Sequence, residues 1–123
     1  MEIDEFRNYC LSKPQTTEEF PFDEDVLVFK VAGKMYALTS LKKWEEGDHS
    51  INLKCVPDKA IELREKYPDE VLPGYHMDKK HWNSVTVNGP NLSLELIKQL
   101  INHSYDLVVS KLPKKKREEI QIK

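Results

Sequence analysis

Val26-Leu27-Val28-Phe29-Lys30-Val31-Ala32-Gly33-Lys34-Met35-Tyr36-Ala37-Leu38-Thr39-Ser40-Leu41 reads as two strands joined by a tight turn. The first run, Val26 to Val31, is β-branched and aromatic, and the second, Met35 to Leu41, follows directly after Ala32-Gly33-Lys34. Gly33 can take the positive φ that a tight turn requires, so the stretch is predicted to be a β-hairpin. Downstream, Ser50-Ile51-Asn52-Leu53-Lys54-Cys55 alternates as a third strand with Ile51, Leu53 and Cys55 inward. The polar connection Lys42 to His49 has one odd member, Trp44, which folds back on the sheet or stays exposed. Val71 to Met77 and His81 to Val87 complete the set as a fourth and fifth strand around the turn Asp78-Lys79-Lys80.

Helical spacing occupies the intervals. Ile3, Phe6 and Cys10 define a helix over residues 2–12, ended by Pro14 and the polar run Gln15-Thr16-Thr17-Glu18-Glu19. Phe20-Pro21-Phe22 follows as a loop anchored by two aromatics. Pro57 suits the first turn of a second helix, which carries Ala60, Leu63, Arg64 and Tyr67 and closes at Pro68. Leu94, Ile97, Leu100 and Ile101 define a third helix, and Ser104 is read as the cap of a fourth bearing Tyr105, Val108, Val109 and Leu112. Residues 114–123 form a short further turn of helix or a loose tail. Helix, three strands, helix, two strands and helices, joined by short connections, predict an α+β two-layer sandwich on an antiparallel sheet. Helices would cover one face. The other would present Trp82, Ser84 and Thr86 beside Lys30, Asn52 and Lys54.

The 123 residues are 39% hydrophobic and 33% charged, as expected for one globular domain spanning residues 1–123. No apolar run reaches the roughly 20 residues of a membrane span, and Met1 to Glu5 is acidic where a signal peptide would be basic, so a cytoplasmic location is expected. Cys10 and Cys55 are isolated and are read as reduced, buried small hydrophobes. The net charge of −2 hides a polarity. Residues 1–25 carry two basic against eight acidic side chains, residues 111–123 carry six against two, and the segment between is neutral.

The chemistry-bearing residues form no complete catalytic constellation. His49, Cys55, His76 and His81 lack HExxH or CxxC spacing, so neither a metal nor a cofactor is expected, although a weaker reading has His76 and His81 sharing a metal or a small ligand. There is no GxSxG, the four glycines are scattered, and no basic partner in sequence identifies either cysteine as a thiolate, so no catalysis is expected. Lys79, Lys80, His81 and Trp82, with Lys54, Lys34, Lys30 and also Lys42 and Lys43, could grip a phosphate backbone, Trp82 stacking or packing. Exposed lysines at turns are also ordinary solubilising residues. Lys114 to Arg117 is followed at once by Glu118 and Glu119, which suits a solvated helix end as well as a nucleic-acid arm.

Four blocks, Val26 to Leu38, Ile51 to Cys55, Pro73 to Val85 and Ser104 to Lys114, resemble in content and order the signatures of the bacterial MmcQ/YjbR family. Val56-Pro57-Asp58 departs from the Asp-Pro that usually follows the family's cysteine. The resemblance implies a CyaY-like or secretion-chaperone-like fold and a DNA-binding "double wing", the wings here being the Gly33-Lys34 and Asp78-Lys79-Lys80 hairpins. Two functions follow as expectations. The first is DNA binding through Lys34, Lys54, Lys79, Lys80, His81 and Trp82; the second is a protein-interaction or chaperone-like module using the sheet face, with a protein partner.

Overall fold

The computed structural model describes residues 1–74 and 77–121. Six antiparallel strands form one sheet in the order β1-β2-β3-β4-β6-β5. They are β1 (Thr16–Glu19), β2 (Val26–Val31), β3 (Lys34–Ser40), β4 (Ser50–Lys54), β5 (Val71–Pro73) and β6 (Trp82–Thr86), interleaved with α1 (Ile3–Leu11), α2 (Leu41–Glu45), α3 (Pro57–Lys66), α4 (Leu94–Ser110) and α5 (Lys114–Gln121). The expected α+β architecture is the observed one.

The β2–β3 hairpin closes through Ala32 and Gly33, with Val31 paired to Lys34. Both turn residues have positive φ, 50° and 79°, as the right-handed twist of a two-residue hairpin requires. For Ala32 that conformation is costly, about 1–2 kcal/mol for a residue with a Cβ. Ala32→Gly is therefore expected to raise the unfolding free energy by about 0.5–1 kcal/mol, the glycine's larger unfolded-state entropy offsetting part of the gain. A urea titration of the two proteins measures it.

Alternation sends Leu27, Phe29, Val31, Ile51, Leu53, Val71 and Val85 to the helical side, where they pack with Phe6 and Cys10 of α1 and Ile97, Leu100, Ile101 and Val108 of α4. Phe6 meets Phe29 edge to face at 5.3 Å between ring centroids. Both cysteines are free and buried, Cys10 within this core, and burial pushes the Cys10 thiol up to about 12.

The structure corrects three sequence expectations. Thr16 to Glu19, read as a polar helix terminator, is an edge strand paired with β2. The connection after β3 holds the helix α2, whose Trp44 is buried and donates from Nε1 to Thr39 Oγ1 at 2.7 Å. The two helices expected over residues 94–112 are one, α4, so Ser104 is not a cap; it lies mid-helix and fully buried. Of the two alternatives for the C-terminal stretch, the helix is the observed one over residues 114–121, with Ile120 buried against the core.

The face away from the helices also differs from its reading. Parity is as expected: Trp82 lies across from Lys54, and Ser84 across from Asn52, to whose Oδ1 its hydroxyl donates. Yet that face is not simply polar. Val28, Leu38 and Trp82 form a second buried cluster there, flanked by Val26, Met35 and Met77.

Candidate nucleic-acid interface

The antiparallel register brings the start of β3, the end of β4 and the start of β6 to one end of the sheet. Both basic turns therefore leave the sheet at that end. β3 is irregular there, because Phe29 pairs with Ala37 and Lys30 with Met35, leaving Tyr36 as an extra residue. Such a bulge bends the strand and interrupts its ladder. On its other side β3 pairs with β4 only at Ala37–Leu53 and Leu38–Asn52. One step further Tyr36 would face Lys54. Instead the Ser104 hydroxyl enters between them, accepting from the Lys54 N–H at 2.9 Å and donating to the Tyr36 carbonyl at 2.5 Å. A side chain of α4 thus replaces a rung of the sheet.

Beside this opening lies a cavity of about 410 Å³. Lys34, Lys54 and Lys111 line it together with Met35, Trp82, Val108 and Leu112. Lys34 is exposed and Lys54 half-buried. Partial burial, and then the positive charges of Lys111 and Lys34, hold the Lys54 ammonium below the ordinary lysine value, with Asp78 opposing them. Lys111 was not among the residues singled out from sequence. Its signal is the spacing of Val108, Lys111 and Leu112, which sets a cation at the C-cap of α4, in line with the helix's apolar stripe.

The second turn is organised by Asp78. Its Oδ1 accepts from the Lys80 N–H at 3.0 Å, its Oδ2 lies 2.7 Å from His81 Nδ1, and its carbonyl accepts from the N–H groups of His81 and Trp82. The His81 contact, then the Lys80 N–H, hold the Asp78 carboxyl below the usual aspartate value. Arg64 of α3 pins the turn from behind. Its Nε donates to Asn83 Oδ1 at 2.7 Å, and Nη2 donates to the carbonyls of Lys79 and Trp82. Sequence reading placed Arg64 on a helix face without a role. On the near side Gly74 donates its N–H to the Trp82 carbonyl, and a Cβ there would stand 2.9 Å from that of Trp82, closer than packing allows.

Of the six residues expected to bind nucleic acid, Lys34, Lys54 and Trp82 share the cavity. Lys79 and Lys80 are exposed on the neighbouring turn, and His81 rests on Asp78. Trp82 is 8% exposed, so its ring is packing material for the outer cluster rather than a free stacking platform. Lys30 pairs with Glu19 at 3.3 Å. Lys42 and Lys43 belong to the last turn of α2. Lys114 and Lys116 face Glu118 and Glu119 along α5.

The histidines and cysteine weighed as a metal set are dispersed. His49 stacks on Trp44 at 4.4 Å, Cys55 is buried and His81 is held by Asp78; His76 lies outside the described residues. Among the described residues no group of three or more His, Cys, Asp or Glu side chains could hold a metal ion. Nor is any helix among them long and apolar enough to cross a membrane.

The YjbR family model matches residues 11–107, a span containing both turns and most of α4. The chain belongs to the YjbR family. Two Escherichia coli relatives in this family are the uncharacterised proteins YbdF, 40% identical over 102 residues (83% of this chain, 80% of YbdF), and YjbR, 32% identical over 117 residues (95% of each). The crystal structure of a Deinococcus radiodurans protein with a DUF419 domain is 39% identical and superposes with a TM-score of 0.88, covering 97% of this chain and 87% of that one. A Pseudomonas syringae protein, 29% identical, gives a TM-score of 0.68 over 87% of this chain and 98% of its own. The fold carrying both basic turns is thus a YjbR-family fold.

Proposed function

We propose that this YjbR-family chain is a non-catalytic DNA-binding protein that contacts duplex phosphates through Lys34 and Lys54 on one side and Lys79, Lys80 and His81 on the other. The observation that carries the reading concerns charge pairing. None of Lys34, Lys54, Lys79 and Lys80 forms an ion pair among the described residues, and the antiparallel register gathers all four at one end of the sheet. Unpaired ammonium groups at one end of a sheet are available to displace counterions from a phosphate backbone, and the affinity so gained is steep in salt and weak in sequence preference. With a net charge of −2 overall, the contact rests on this local basic end rather than on the charge of the whole chain. Trp82 supports the surface from below, and Arg64 fixes the second turn.

The reading is tested by fluorescence anisotropy with a labelled duplex. For about four phosphate contacts, affinity is expected to fall roughly 100-fold between 50 and 200 mM salt. Lys79→Glu combined with Lys80→Glu is expected to abolish binding while circular dichroism remains native. Absence of binding even at 50 mM salt, or a double variant that binds as well as the parent, overturns the proposal.

A further inference from the structure

We infer that the cavity between the β3 and β4 ends and the C-terminal part of α4 is a binding site for a small amphiphilic anion, an aryl or short acyl body bearing a carboxylate or phosphate. This goes beyond duplex binding, which needs surface charge and no cavity. The apolar half of the site is formed by Met35, Trp82, Val108 and Leu112, the last three each at least 92% buried. Its about 410 Å³ lies within the range of small-molecule sites, which are concave, mostly apolar and equipped with a few placed polar groups. Here the polar groups are all cations. Lys34, Lys54 and Lys111 converge on the rim, and none has an ion-pair partner among the described residues.

The charge balance decides the sign of the ligand. The cavity is bordered by the C-terminal end of α4, whose aligned dipoles contribute about half a negative charge, and the Asp78 carboxylate lies near enough to act on Lys54. Three ammonium groups outweigh both. Three like charges around an apolar recess repel one another, and an anion seated among them relieves that repulsion; Lys111 and Lys34 add to burial, the larger cause, in holding the Lys54 ammonium below its ordinary value. An inorganic anion would leave the Trp82–Val108 side filled only by water, and a neutral aryl group would leave the lysines unpaired. The site therefore favours a ligand carrying both features.

The opening has a structural cause. Had β3 and β4 stayed paired beyond Ala37–Leu53, Lys54 would be drawn against Tyr36 and the recess would narrow. The Ser104 hydroxyl takes over both backbone groups, so the sheet stays open at no loss of hydrogen bonding.

The probe is phenyl phosphate, followed by ¹⁵N NMR of the full chain at constant ionic strength, with inorganic phosphate and benzyl alcohol as the two half-ligands. The Trp82 indole resonance is expected to move saturably, while that of Trp44, stacked on His49 elsewhere in the molecule, stays fixed. Phenyl phosphate should bind at least about tenfold more tightly than either half-ligand, a difference near 1.4 kcal/mol. Lys111→Met, at an exposed position, is expected to weaken it at least about fivefold. Met35→Phe, which fills the recess, is expected to do the same while leaving duplex affinity unchanged, so the cavity reading and the DNA reading fail separately. Equal affinity for inorganic and phenyl phosphate, or no movement of the Trp82 indole up to about 10 mM probe, overturns the inference.

Discussion

Ser104→Ala is expected to lower the unfolding free energy by about 2–3 kcal/mol, an unusually large loss for removing one oxygen atom. The hydroxyl bridges two backbone groups on different strands, accepting from the Lys54 N–H and donating to the Tyr36 carbonyl. Tyr36 is fully buried, so its carbonyl would be stranded away from water, at about 1–3 kcal/mol for an unsatisfied buried acceptor. The Lys54 N–H borders the cavity and can be hydrated more easily, which keeps the sum below twice that figure. Alanine's better helix propensity returns only a few tenths of a kcal/mol. Ser110→Ala in the same helix is the control, because Ser110 is exposed and donates only to the Leu107 carbonyl of its own turn; a change within about 0.5 kcal/mol is expected there. Urea unfolding of both variants measures the contrast, and equal effects would mean that Ser104 is not a rung of the sheet.

Ser104 also marks where sequence reading stops. Asn102-His103-Ser104 is a polar interruption between two apolar stripes, and a serine there has the chemistry of a helix cap. What keeps α4 continuous is tertiary: the hydroxyl finds its partners on β3 and β4, which no local pattern records. The central hairpin was legible because apolar runs and a turn glycine lie together, and β4 and β6 because one face of each is buried and alternation shows. β1 was not legible. Thr16-Thr17-Glu18-Glu19 has the charged, polar character with which edge strands resist further pairing, and its glutamates are used at the surface, Glu18 accepting two bonds from Arg7 at 2.8 Å and Glu19 meeting Lys30.

The candidate site shows the same division. Lys34, Lys54, Lys79 and Lys80 could be picked out as cations on turns and strand ends. Parity assigned Trp82 to the correct side of the sheet, but alternation says which face a side chain takes and nothing about what covers it. Val28 and Leu38 on that face make it an interior position. Arg64 and Lys111 were passed over because a basic residue on an amphipathic helix is ordinarily surface; their roles depend on what the next layer places opposite them.

Arg64→Ala is expected to cost about 2–3 kcal/mol and, more diagnostically, to loosen one turn selectively. Arg64 is the hinge between the interior and the second basic turn: one guanidinium holds the 98%-buried Asn83 side chain and the carbonyls of Lys79 and Trp82. Charged donors are worth about 1.5–3 kcal/mol each when buried, but two of these acceptors can recover water as the turn opens, so the loss falls well short of the sum. Arg64→Lys is expected to recover less than half of it, since an ammonium cannot span acceptors arranged for a planar fork. Amide hydrogen exchange separates local from global effects: the His81 and Trp82 amides, which bond back to Asp78, should exchange faster by more than the global destabilisation explains, while those of α4 should track it. Duplex affinity should fall in the same variant although every lysine remains, because ammonium groups on an unpinned turn lose entropy on binding that the arginine had already removed. If affinity is unchanged while the turn exchanges freely, the fixed geometry of Lys79 and Lys80 is irrelevant to binding, and their contribution is charge alone.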